Sequence, residues 1–159
     1  MKKSIIMATL FVATICSAFA SGENPSSPVT KEITTSKFIK SMIIGYNVGV
    51  TLVADDNYSS ITLTGDKDVV DAVNVKVKGT ELYIWSVKNL KNRQVLVHVP
   101  MKDLAYMELK SGSKLYVQGV IPCRDLTVVV NSEAHLDLKY LGKATVKPGD
   151  DCEFVYEKQ

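Results

Sequence analysis

From about Lys31 onward, apolar residues recur at every second position, and a chain patterned that way folds as strands with one buried face. Val73, Val75 and Val77 alternate with Asn74, Lys76 and Lys78. Leu82 and Ile84 alternate with Tyr83 and Trp85, and Val95, Val97 and Val99 with Leu96 and His98. Leu115 and Val117 flank Tyr116; Leu136 and Leu138 flank Asp137. The β-branched residues in these runs suit an extended backbone. Lys78-Gly79-Thr80 lies between two runs and predicts a tight hairpin turn. Asp66–Ala72 is the best helical candidate, two turns at most. Pro100, Pro122 and Pro148 predict strand ends, because proline has no N–H to give to a ladder.

Strands spaced about ten residues apart point to a sandwich, a barrel or a solenoid. An internal echo favours the last. Met107–Val117 can be laid on Val128–Leu138 with a constant shift of 21 residues. Apolar positions match at 107/128, 109/130, 115/136 and 117/138, and Ser111 matches Ser132. A looser third copy runs from Val146 through Pro148-Gly149-Asp150 to Phe154. Repeats of that length stack on one another and bury a continuous core. The expected class is all-β, a right-handed parallel β-helix or solenoid-like stack of short strands, with a two-sheet β-sandwich as the alternative.

The N-terminus carries a different signal. Lys2 and Lys3 precede an uncharged run of fourteen residues, Ile5–Ala18, and Ala18-Phe19-Ala20 then stands before Ser21. Basic start, apolar centre and small-residue site together predict a secretory signal peptide over residues 1–20. The run is shorter than the roughly 20 residues of a membrane span. Cys16 follows Ile15 rather than the small residue that precedes a lipid-modified cysteine. Cleavage leaves 159 − 20 = 139 residues, the size of one domain. Ser21–Thr30, with Pro25 and Pro28, reads as a flexible leader before a single domain over 31–159.

Removing Lys2 and Lys3 takes the basic residues from 19 to 17, equal to the 17 acidic ones, so the exported chain is neutral. That balance argues against nucleic acid as a partner. Two cysteines remain after cleavage, Cys123 and Cys152. An oxidising compartment allows a disulfide between them, closing a loop worth roughly 3–4 kcal/mol. Two buried free thiols fit the sequence equally well. No metal or other cofactor is expected, since two cysteines and two scattered histidines have no ligand spacing.

Catalytic patterns are weak. His98 and His135 lie on strand faces opposite their apolar neighbours, with no nucleophile in a triad order. Asp55-Asp56 and Asp150-Asp151 resemble the carboxylate pairs of glycosidases, but both sit among turn residues. The aromatic residues Tyr83, Trp85, Tyr106 and Tyr116 fall opposite the main apolar face. An open face there is a stripe of amphipathic rings suited to sugars or a protein partner; a covered one is packing.

Several steps along the chain resemble one known family. They are Phe38-Ile39-Lys40 followed by Val48–Val53, Ile61-Thr62-Leu63-Thr64-Gly65-Asp66, Gly79–Ile84, Val95–Pro100 and Leu109-Lys110-Ser111-Gly112-Ser113. Their order over Lys37–Phe154 is similar to that of the auto-transporter adhesin family with a head GIN domain, exported proteins of Gram-negative envelopes. The second turn, Asn131-Ser132-Glu133-Ala134, lacks the family's glycine. The resemblance implies a parallel β-helix-like domain with no catalytic residues. It implies an exported, non-enzymatic binding protein of the periplasm or cell surface, whose partner is a glycan or protein. An assembly module that pairs with another envelope subunit or with itself is the alternative, and a carbohydrate-active β-helix enzyme the last.

Overall fold

The structure, a computed structural model, describes residues 28–35, 38–54, 60–90, 93–101 and 103–159. The expected signal peptide, most of the leader and the Asp55-Asp56 pair lie outside the described residues. Among the described residues twelve strands and one helix follow in order: β1 (Val29–Thr34), β2 (Ser41–Ile44), β3 (Gly49–Ala54), β4 (Ser60–Gly65), α1 (Lys67–Ala72), β5 (Val73–Lys78), β6 (Glu81–Ser86), β7 (Gln94–Val99), β8 (Tyr106–Leu109), β9 (Lys114–Gln118), β10 (Ile121–Val130), β11 (His135–Pro148) and β12 (Glu153–Lys158). All twelve join one sheet curled into a half-barrel. The all-β class expected from the alternation is the class observed. β1 includes Val29 and Thr30, just ahead of the domain start expected at Lys31.

The sheet has two arms. In one, β6, β2, β8, β10 and the second half of β11 lie side by side, all parallel. In the other, β7, β3, β9, the first half of β11 and β12 do the same. The echo in the sequence is a ladder register: Met107 pairs with Val128, Leu109 with Val130 and Leu115 with Leu136, each pair 21 residues apart. The looser third copy pairs too, Val128 with Val146 and Leu136 with Phe154. The order of layers is not the order of sequence. β6 and β7 stack outside β2 and β3, because β5–β6 is an antiparallel hairpin that folds back beside β2.

In-register pairing puts like residues in rows. Leu82, Met42, Met107 and Val128 form one inward row, and Val95, Val50, Leu115 and Leu136 form another; all eight are fully buried. Helix α1 adds Val69, Val70 and Ala72 to the same core. It matches the short helix expected after Asp66. Arg93 holds the Asp66 and Asp68 carboxylates, and Asp66 makes no side-chain cap.

Among the described residues, four four-residue corners join the arms: Gly45–Val48, Lys110–Ser113, Asn131–Ala134 and Gly149–Cys152. The third residue of each is left-handed: Asn47 at φ 53°, Gly112 at φ 70°, Glu133 at φ 60° and Asp151 at φ 53°. The glycine missing from the second repeat is thus replaced by Glu133 in the same conformation. Neighbouring corners hydrogen-bond along the stack, for example His135 N to Ser113 O at 2.9 Å and Glu153 N to Ala134 O at 3.0 Å.

β11 is fourteen residues long because it serves both arms. It pairs with β9 through Asp137, with β12 through Tyr140 and with β10 from Tyr140 onward. The strand changes direction at Gly142, at φ 115°, opposite an irregularity between Cys123 and Asp125. Pro122 therefore sits second in β10 rather than ending a strand, whereas Pro148 does end β11 and Pro100 follows β7. A Cβ at Gly142 would lie 1.7 Å from Cys123 O, which no rotamer relieves. Gly142→Ala is expected to destabilise the fold by about 3 kcal/mol or more. Gly79→Ala, at φ 65° with open space around it, is expected to cost only about 1 kcal/mol. Urea midpoints of the two variants distinguish them.

Candidate functional site

β6, β2 and β8 turn alternate residues outward, and their register places the outward ones together. Tyr83 faces Ile43, and Ile43 faces Glu108. Glu81 faces Ser41, and Ser41 faces Tyr106. Trp85 stands one step further along β6, beside the corner that begins at Gly45. A Cβ at Gly45 would lie 2.5 Å from the Trp85 Cβ, so the absence of a side chain at Gly45 is what lets the indole rest there. Ile43, Gly45, Tyr46, Tyr83, Trp85 and Lys110 line an open groove of about 380 Å³. Tyr46 is 60% exposed at its rim.

Beside the groove is a chain of polar contacts. Tyr83 Oη donates to Glu81 Oε2 at 2.8 Å, and Tyr106 Oη to Glu108 Oε2 at 3.3 Å. Lys110 Nζ pairs with Glu108 Oε1, which also receives Asn131 Nδ2 at 3.3 Å. Asn131 Nδ2 reaches Leu109 O at 2.7 Å. The hydrogen bond to Glu81 raises the Tyr83 hydroxyl pKa; burial, then the Glu108 charge, raises that of Tyr106. Both phenols are therefore neutral donors at neutral pH. Burial pushes Glu108 up, but the Lys110 hydrogen bond and charge, with Asn131 and Tyr106, outweigh it and hold the carboxyl below its ordinary value. The hydrogen bond to Glu108 raises Lys110 in turn. The result is ring surface flanked by fixed carboxylates and one tethered ammonium.

Three of the four aromatic residues singled out from the sequence, Tyr83, Trp85 and Tyr106, are on this arm. Tyr116 is not with them. It sits on β9 of the other arm, opposite Thr51 and Asp137, with the His135 ring 5.0 Å away. The Lys110–Ser113 corner between β8 and β9 separates it from Tyr106. Tyr46 and Ile43 were not anticipated: β2 has no alternation to mark its outward residues, and only the glycine before Tyr46 hints at a corner. His98 is a partly buried residue of β7, and His135 Nδ1 lies 3.3 Å from Glu153 Oε2. Asp150 and Asp151 are exposed corner residues.

Cys123 and Cys152 are free thiols. Cys123 Sγ lies 3.5 Å from Leu141 O, and Cys152 Sγ donates to Gly149 O at 3.2 Å. Cys123 is opposite Gly142 on β11, whereas Glu153, next to Cys152, is opposite His135. Seven residues of strand at about 3.3 Å each separate those positions, far beyond the roughly 7 Å that a disulfide spans between Cα atoms. Burial also raises the Cys123 thiol pKa. Under native conditions a maleimide is expected to label Cys152 quickly and Cys123 only on unfolding, read as a mass shift; resistance of both without reductant would indicate a disulfide.

Folding lowers the Glu108 pKa, so its ionisation favours the folded state. That contribution is present at neutral pH and is lost as pH falls through the folded pKa, below the ordinary carboxylate range. Glu108→Gln is expected to lower the neutral-pH urea midpoint and flatten its fall in acid; a wild-type pH profile in the variant would remove Glu108 from the account.

A family model described as "Putative auto-transporter adhesin, head GIN domain" matches residues 41–147. No curated protein matches the chain. Among solved structures, a "putative adhesin" from Parabacteroides merdae superposes at TM-score 0.61 with 15% identity, covering 81% of this chain and 55% of that one. A "putative adhesin" from Bacteroides fragilis gives 0.51 with 17% identity, over 79% and 64%. A "putative lipid binding protein" from Parabacteroides distasonis gives 0.54 with 13% identity, over 82% and 61%. At such identities the likeness is one of fold, and this chain spans 55–64% of the length of those proteins. The match over residues 41–147 places the chain in the head GIN domain family.

Proposed function

We propose that this chain is an exported, non-catalytic binding module of a Gram-negative cell envelope, and that it takes a glycan or protein partner on the groove beside Trp85. The observation that carries this reading is the groove itself. Apolar ring and aliphatic surface stays open to solvent between β2 and β6, bordered by fixed carboxylates and phenolic hydroxyls. Such a surface suits a sugar, whose C–H faces stack on rings while its hydroxyls meet carboxylates. A rigid scaffold supports that use. The parallel layers, read as a short solenoid-like stack of coils in one domain, hold Tyr83 and Trp85 on ladder-paired backbone rather than on a loop. The family and the naming of two structural neighbours as adhesins point the same way. The basic, apolar and small-residue order of residues 1–20 supports export. Among the described residues no helix is long and apolar enough to cross a membrane.

Tyr116 has no part in this groove. The binding residues proposed are Tyr46, Tyr83 and Trp85, with Tyr106 contributing through Glu108. An array of glycans and matrix proteins, with a lipid-vesicle arm because one neighbour is named for lipid binding, tests the assignment. Saturable binding to glycan or protein is expected, reduced about tenfold or more in Trp85→Ala and in Tyr46→Ala at unchanged melting temperature. A blank array, binding to vesicles alone, or binding indifferent to both substitutions would overturn it.

A further inference from the structure

The layer formed by Lys143–Pro148 and β12 differs from the others in what it leaves uncovered among the described residues. Phe154 and Tyr156 continue the inward rows of Leu136 and Leu138, which are fully buried, yet they are 37% and 49% exposed. Their rings stack on each other with centroids 5.9 Å apart. On the other arm, Ala144 and Val146 continue the rows of Leu126 and Val128 and are only partly buried. Among the described residues, no strand pairs with the outer edge of β12 or of Lys143–Pro148. Two free strand edges flank one apolar strip, which is a template for further strand pairing.

The outward residues of these two edges carry opposite charge. β12 presents Glu153, Val155 and Glu157; β11 presents Lys143, Thr145 and Lys147. β11 runs into the Gly149–Cys152 corner and β12 runs out of it. A two-fold axis beside Asp150 of that corner therefore lays each β12 antiparallel on the β11 of a second copy, with residues equally far along the chain from Asp150 facing one another. Lys147 and Glu153 are each three residues from Asp150, and starting from that pair the rest follows. Glu153 meets Lys147, Val155 meets Thr145 and Glu157 meets Lys143. On the inward face Phe154 meets Val146 and Tyr156 meets Ala144. Polarity, charge and apolar parity agree on this register.

We propose that this layer is the docking surface for a second copy of the chain, joined across that two-fold axis by two β12–β11 ladders. The interface is isologous and closes on itself. Stacking head to tail is opposed by charge on both arms. It would set Lys143 and Lys147 against Lys76 and Lys78 of β5, and Glu153 and Glu157 against Glu32 of β1. The pairs these residues make within one chain are exposed and easily exchanged: Lys143 with Asp125 at 3.2 Å, Glu157 with Lys139 at 3.8 Å, Glu153 with His135 at 3.3 Å. The proposal does not depend on the ligand of the Trp85 groove.

Sedimentation velocity of the purified protein tests it with two charge-reversed variants, Glu153→Lys/Glu157→Lys and Lys143→Glu/Lys147→Glu. The wild type is expected to dimerise at micromolar concentration. Each variant alone is expected to dissociate about tenfold or more readily, because like charges then face across both ladders. Mixed together, the two variants are expected to form a heterodimer, since each acidic strand again meets a basic one. The reversed side chains are exposed, so wild-type circular dichroism is expected of both variants. A wild type that stays monomeric, or a dimer that both variants leave intact, would overturn the proposal; so would two folded variants that fail to combine.

Discussion

Each corner of the stack preserves the phase of the strands it joins, and the core depends on that. Six residues separate the last inward residue of one arm from the first of the next: Ile44 to Val50, Leu109 to Leu115, Val130 to Leu136 and Pro148 to Phe154. An even separation keeps the inward set inward, because side-chain direction alternates with period two. A left-handed third residue lets four residues make the change of direction, and it is glycine in only one of the four corners. Asn47 accepts that conformation readily, whereas Glu133 is held in it at a cost of about 1–2 kcal/mol. Ladder bonds on both sides of the corner supply what the residue itself does not favour.

Much of this was legible in the sequence, and the reason is that period two is a local signal. The strands at 73–77, 82–85 and 95–99 declared themselves residue by residue, as did the Lys78-Gly79-Thr80 hairpin. The 21-residue echo was a true register, since stacking in register demands like residues at like positions. What could not be read was which layer lies beside which. Nothing local says that β6 and β7 stack outside β2 and β3, because that order follows from the antiparallel hairpin folding back after the chain has left the stack. The aromatic stripe failed at Tyr116 for the same reason. Alternation gives the face of a strand, but the corner after β8 decides the arm. The long strands β10 and β11 were hidden by Pro122 and Gly142, which are tolerated where the sheet bends. Folding does not bring the two cysteines together, since β11 holds their neighbours seven residues apart, at His135 and Gly142.

The outer surface has two kinds of chemistry, and the difference bears on function. Beside Trp85, the phenols of Tyr83 and Tyr106 and both carboxylates already have partners: Tyr83 with Glu81, Tyr106 with Glu108, Lys110 and Asn131 with Glu108. These contacts fix side chains before any ligand arrives, so less freedom is lost on binding. The apolar surface between them is what remains unsatisfied. Arg93 with Asp66 and Asp68 shows the contrasting case, an exposed cluster that ties α1 to the start of β7 and leaves nothing open.

The two ends of the stack are also unlike, and the contrast argues that the open one is meant to be covered. At one end the strands β1 and β5 turn antiparallel, which breaks the parallel repeat. β5 carries Lys76 and Lys78 on its outward face, a common defence of an exposed edge. The inward residues there, Val73 above all, are closed off with the help of α1. At the other end parallel pairing continues in register, with aromatic residues at inward positions and, among the described residues, no helix over them. The edge formed by β12 and Lys143–Pro148 carries acid on one strand, base on the other, and aromatic side chains at inward positions of β12.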